Sequence, residues 1–224
     1  MAKKNEMKII PLFASPLMQI QLDLNTDKLT ELAFEMQHKD KKGKEISNKG
    51  GWHSDIIHEE KHEEVIKHKE FIKLNKKINQ YLQKYHSEVF RGMIWKDNLK
   101  HRLESQEMWV NINEKHHYNE WHNHSNSTLS GTYYIKHDGS IENGIIVFKH
   151  PVFQFPFIMK THWPNKELIE RYNEVTSEII DFLPQSNMLL IFPSWLEHKV
   201  ETNLKDDTRI SLSFNTIPIL EKKS

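Results

Sequence analysis

Two histidines one residue apart, His122 and His124, stand in the stretch "EWHNHSNSTLSGTYYI" at residues 120–135, and the chemistry that pattern suggests is metal ligation. Successive strand side chains alternate between faces, so residues i and i+2 project to the same side. Neutral imidazole is a common protein ligand for iron, zinc and copper. With 15 histidines in 224 residues, a chance HxH on a polar surface is the competing reading, and a third ligand has to decide. His198, in "FPSWLEHKV" at 192–200, follows an apolar strand and turn and is the candidate. Arg209 comes eleven residues later and opens the last strong strand. A buried strand that begins with arginine needs an anionic partner, because an unpaired guanidinium in a core is costly. The partner is either Asp206, Asp207 or Glu201 in a structural ion pair, or the carboxylate of a bound small molecule.

Other histidines carry weaker signals. His58 and His62 sit at i and i+4 in "HEEKHEEVIKHKE", but a solvated helix face laced with charge pairs is the plainer reading. His116 and His117 read as an exposed loop. His53, in "SNKGGWHSD" at 47–55, lies in a glycine-hinged loop of the kind that closes over substrate.

These residues must be held by the rest of the chain, and two halves of different character do so. Residues 7–22 read as one or two edge strands interrupted by Pro11 and Pro16. Asn25 or Thr26 caps a helix through about His38, with Leu29, Leu32, Ala33 and Met36 on one face. "KDKKGKEISNKGGW" at 39–52 reads as a mobile loop, and a long amphipathic helix is expected from about Glu60 to Tyr85. After Gln106 the segments "EMWVNIN", "TLSGTYYIK", "GIIVFK", "VTSEIID", "NMLLIFP", "HKVET" and "RISLSFNTIPI" are short, β-branched or aromatic, with turn-prone clusters between them. The spacing predicts a β-sandwich or barrel buttressed by N-terminal helices. One domain over 1–224 is expected, with strands and supporting helices over 1–104, a β-core over 105–217 and a tail over 218–224.

Composition narrows the function classes. Lys+Arg and Asp+Glu both total 31, so no net field draws the chain to nucleic acid or an anionic membrane. Cysteine is absent, which excludes disulfides, thiolate metal sites and a cysteine nucleophile. No segment approaches the ~18 apolar residues of a membrane span, and no signal-like apolar run is seen. A cytoplasmic location is therefore expected.

The order HxH, intervening hairpin, distal histidine, then arginine resembles the Fe(II)/2-oxoglutarate-dependent dioxygenases. "SNKGGWHSD", "HNHSNSTLSGTYYIK", "FPSWLEHKV" and "RISLSFN" look like a subfamily of these oxygenases found in marine phages and bacteria. The resemblance implies a prolyl-hydroxylase-like double-stranded β-helix, a jelly-roll related to the cupins. It places His122 and His198 as two imidazole ligands of Fe(II), with His124 where the wider superfamily has a carboxylate. His124 as third ligand leaves the iron face one negative charge short of the usual triad. The alternative is that His124 points aside and an acid such as Glu120 or Asp138 supplies oxygen. Arg209 then pairs with the distal carboxylate of 2-oxoglutarate, Ser211 adds a hydroxyl and Tyr134 a phenol, while Asn111 reaches the keto acid or the substrate. Tyr133, Trp109, Trp195 and Phe192 are expected in ordinary barrel packing.

The implied activity is a 2-oxoglutarate-dependent dioxygenase that hydroxylates its substrate and releases succinate and CO2. Two other readings stay open: a three-histidine cupin-type dioxygenase without 2-oxoglutarate, and a non-catalytic metal-binding β-sandwich. The substrate is a small molecule or peptide, and an N-terminal edge strand could pair two copies into a homodimer.

Overall fold

A computed structural model describes residues 14–91, 99–152, 173 and 176–222. The alternation visible in the C-terminal half organises the molecule. In β4 (Leu99–Asn113), β6 (Leu129–Lys136) and β11 (Arg209–Lys222), apolar and polar residues take turns, and each set lines a different face. Val110, Ile112, Tyr133, Ile135, Ile210, Leu212 and Phe214 face a core completed by α1 (Thr26–Lys39) and α3 (Lys69–Val89). Glu107, Trp109, Asn111, Thr132, Tyr134, Arg209, Ser211 and Ser213 face a cavity. The helices thus take the place of solvent on one side of the sheet, and the polar face is turned inward.

Two antiparallel sheets enclose that cavity. The first has β1 (Met18–Gln21) at one edge, then β9 (Met188–Pro193), β6, β11 and β4, and ends on the two-residue β3 (Trp52–His53). The second runs β2 (Asn48–Lys49), β5 (Tyr118–His122), β10 (His198–Val200), β7 (Ile146–Lys149) and β8 (Ile179–Phe182). Facing antiparallel sheets of this kind form the double-stranded β-helix. A smaller apolar cluster of Phe148, Met188, Leu190, Phe192 and Leu196 fills the space beside the cavity.

The N-terminal half differs from expectation in two places. The long helix is two: α2 (Glu59–Lys67) ends before His68, whose extended backbone and Nδ1 cap α3 by accepting from the Glu70 amide. The segment over 39–52 is no free loop. β2 pairs with β5 of one sheet and β3 with β4 of the other, so residues 48–53 strap the two sheets together. Trp52 anchors the strap through its indole N–H to the Asp40 carbonyl (2.6 Å). The first helix follows the sequence closely, with the Asn25 carboxamide accepting from the Lys28 amide. Of the expected N-terminal strands, β1 lies at the sheet edge, and the part over 7–13 is outside the described residues. Among the described residues no helix is long and apolar enough to cross a membrane.

Candidate active site

His122 is the last residue of β5 and His198 the first of β10, and the antiparallel register sets them directly opposite each other. Their rings are 4.3 Å apart between centroids. His124 is not on the strand. It lies just beyond it, where the chain leaves the second sheet, and its amide donates to the Ser194 carbonyl (2.8 Å). That bond turns its ring back to within 5.2 Å of His122 and 5.4 Å of His198. One potential ligand atom from each of the three rings falls within 4.8 Å of the others.

Hydrogen bonds settle which nitrogens are free. His122 Nδ1 lies 2.7 Å from the Glu120 carbonyl and His198 Nδ1 2.9 Å from that of Leu196. A carbonyl only accepts, so each Nδ1 carries the proton and each Nε2 keeps its lone pair. Burial disfavours the charged ring, pushing His124 down to about 4 and His198 to about 3, and lowering His122. Three neutral imidazoles, each with a nitrogen close to the others, are the donor set a divalent transition metal needs. Neither alternative acid joins them: Glu120 faces Lys49 (3.5 Å) and Asp138 pairs with Lys205. The His58–His62 pair gathers no third ligand among the described residues.

The cavity these rings open onto has a volume of about 240 Å³. At its other end Arg209 is 3 % exposed. The three acids that could have paired with it bond elsewhere, Asp206 to Lys115, Asp207 to Lys136 and Glu201 to Lys199. Its Nη1 donates a long bond to the Gly144 carbonyl (3.4 Å), and its Nε, fully buried, has no partner. Desolvation lowers the guanidinium to about 10. Gly144 permits this seat: its φ is +84°, and a Cβ there would meet the Glu201 carbonyl at 2.7 Å and Arg209 Nη1 at 3.3 Å. Behind it, Asn143 and Asn203 bond to each other and to the Asp207 carbonyl, fixing the turn that precedes Arg209.

Ser211 stands opposite Asn111 on β4 and opposite Tyr134 on β6, so the three side chains share one rung of the cavity wall. Tyr133, the neighbour of Tyr134, points to the helices and donates to Asn187 Oδ1 (2.6 Å). Of the aromatics expected in packing, Trp109 and Phe192 line the cavity and Trp195 is exposed on the surface. His53 forms cavity wall, as part of the strap, and does not sit in a hinged lid.

Residues 107–215 match the family model described as "Putative 2OG-Fe(II) oxygenase". The β-core is a 2OG-Fe(II) oxygenase domain. Solved structures agree on its fold. A prolyl-4-hydroxylase of Pseudomonas putida superposes with a TM-score of 0.54 at 13% identity, over 93% of this chain and 93% of that one. The non-heme α-ketoglutarate-dependent carbocyclase SnoK from nogalamycin biosynthesis gives 0.56 at 11%, over 90% and 79%. The viral collagen prolyl hydroxylase of Paramecium bursaria Chlorella virus-1, solved with 2-oxoglutarate, gives 0.52 at 11%, over 89% and 94%. No curated protein matches the chain in sequence. The matched span of the oxygenase domain contains the histidine cluster, Arg209, Ser211, Tyr134 and Asn111, and stops short of the strap that brings in His53.

Proposed function

We propose that this chain is an Fe(II)- and 2-oxoglutarate-dependent hydroxylase, with His122, His124 and His198 holding the metal and Arg209 holding the cosubstrate. The observation that carries the reading is the buried, carboxylate-free guanidinium that shares one cavity with three neutral imidazoles. A guanidinium is matched by a carboxylate in a two-point bond, and the distal carboxylate of 2-oxoglutarate supplies one. Ser211 and Tyr134, beside Arg209 on the same wall, offer hydroxyl donors to that carboxylate.

Each part of the chain then has a defined task. The Glu120 and Leu196 carbonyls hold the tautomers of His122 and His198, so both rings present Nε2 without a proton loss. Arg209 orients the keto acid, and Phe192, Ile146 and Trp109 keep water from the cavity wall. The bound Fe(II) and 2-oxoglutarate supply the oxidation itself: O2 is consumed, 2-oxoglutarate leaves as succinate and CO2, and one oxygen enters a substrate C–H bond.

Anaerobic addition of Fe(II) and then 2-oxoglutarate tests this directly. Visible absorption that requires both, and is lost in His198→Ala, is the expected result. Iron binding without any response to 2-oxoglutarate would instead support a three-histidine dioxygenase that binds substrate on the metal.

A further inference from the structure

Arg209, Ser211 and Tyr134 make one part of the cavity wall rich in donors, and the strands beside them carry the reverse polarity. In β3, His53 stands opposite Asn111, which stands opposite Ser211 and, beyond it, Tyr134. Four strands thus contribute one continuous polar rung to the cavity wall. His53 Nδ1 lies 2.6 Å from the Ser54 carbonyl, so it carries the proton and Nε2 is an acceptor. Burial keeps the ring neutral, below its ordinary value. Asn111 is 6 % exposed; its Nδ2 donates to Ser213 Oγ (3.3 Å), and its buried Oδ1 has no partner.

Glu107 lies on the same face of β4, two residues before Trp109 and four before Asn111. It accepts one hydrogen bond from Asn215 Nδ2 (3.0 Å) and makes no ion pair among the described residues. Of the described residues that line the cavity, Glu107 is the sole carboxylate, and Arg209, at the far end, the sole lysine or arginine. The acceptor wall adjoins the metal ligands: His53 stacks on Trp109 (5.6 Å, 11°), and the Trp109 ring is 5.7 Å from that of His124. 2-Oxoglutarate offers acceptor oxygens and negative charge, so it cannot satisfy these groups. A second molecule rich in donors can.

We propose that His53, Asn111 and Glu107 form the substrate subsite, and that the substrate presents to it a cationic nitrogen, an amine or a guanidinium. The inference rests on the oxygenase reading, which assigns the adjoining Arg209, Ser211 and Tyr134 to the cosubstrate. Such a group carries N–H donors for both His53 Nε2 and Asn111 Oδ1, and Glu107, exposed and about 13 Å away along β4, adds an attracting field and not a contact. An anionic substrate would leave Asn111 Oδ1 unsatisfied and face Glu107 with a like charge.

Saturation-transfer NMR on the Zn(II)-loaded, 2-oxoglutarate-bound protein tests the assignment with n-butylammonium, n-butylguanidinium and pentanoate as probes. The two cations should receive saturation, and Glu107→Gln and His53→Phe should each reduce it at least threefold, with pentanoate weak throughout. Equal or stronger transfer to pentanoate, unchanged cation signals in both variants, or no transfer to any probe would overturn it. Titration of 2-oxoglutarate into the same samples separates the two claims. If the keto acid fails to bind, the oxygenase reading falls and takes this one with it. If it binds wild type and both variants alike while the cations do not bind, the subsite alone is wrong.

Discussion

Arg209→Met separates a ligand-binding arginine from a structural one. The guanidinium is buried with one long hydrogen bond and no counter-ion among the described residues, and desolvation lowers it from 12.5 to about 10. At ~1.4 kcal/mol per pH unit, that displacement corresponds to about 3 kcal/mol of unfavourable charge burial. Methionine fills similar space without the charge, so the variant without ligand should be as stable as wild type or up to about 3 kcal/mol more stable. For a chain of this size that is a melting temperature higher by about 6–12 °C at most. With 2-oxoglutarate and a divalent metal the order reverses. Wild type at a hundredfold excess over Kd gains about 2.7 kcal/mol, whereas the variant should gain only what the metal gives. Thermal denaturation of both proteins, with and without 2-oxoglutarate at fixed metal, reads all four values. A ligand-free variant several kcal/mol less stable than wild type would refute the reasoning, as would a variant that keeps the full 2-oxoglutarate shift.

His122→Ala and His198→Ala should each abolish metal-dependent succinate formation, measured against wild type at saturating Fe(II); turnover in either would remove that residue from the ligand set. His124→Ala should lower metal affinity at least tenfold, about 1.4 kcal/mol or more, by calorimetric titration with Zn(II); an unchanged affinity would return His124 to a packing role. Gly144→Ala forces a Cβ into a positive-φ position against the Glu201 carbonyl, and should cost about 1–3 kcal/mol in denaturant unfolding and weaken 2-oxoglutarate binding. His137 titrates below its ordinary 6.5 because it is buried, with Nδ1 accepting from the Gly139 amide and Nε2 near the Gly144 carbonyl. The unfolded chain therefore takes up a proton before the folded one does, and stability should fall as pH drops below ~6.5; His137→Gln should reduce that slope and leave the part owed to His53, His122, His124 and His198, which burial lowers too.

Much of the site was legible because it follows strand periodicity. In "RISLSFN" the polar residues at 209, 211, 213 and 215 share a face, and the apolar ones between them share the other. The alternation does not say which face meets water. Here α1 and α3 cover the apolar side, so a polar face that would ordinarily be solvated lines a cavity. His122 and His198 were found by type and order. His124 reaches the cluster by a route that period-2 reasoning does not contain, since the Ser194 carbonyl, not a strand, directs it. His53 was flagged, but as part of a lid. β2 and β3 have two residues each, too short to show any periodicity, and the glycines and lysines around them read as a loop until their pairing partners are known. Glu107 passed unremarked because a glutamate heading the strand-like stretch "EMWVNIN" resembles any other surface charge. The break at His68 was hidden for a related reason, since the apolar spacing continues across it while the cap is a local side-chain bond.

The strap has a consequence for how the molecule opens. Beyond β3 the chain continues along β4, with the Ser54 amide donating to the Val110 carbonyl, the Val110 amide to Ser54 Oγ, and the Ile57 amide to the Met108 carbonyl. One short segment thus carries main-chain bonds to both sheets of the sandwich. Neither sheet can swing away at this end without first breaking bonds that belong to the other. Their amides should therefore lose protection from hydrogen exchange together at this end, and a single cut between Asn48 and Trp52 should uncouple them.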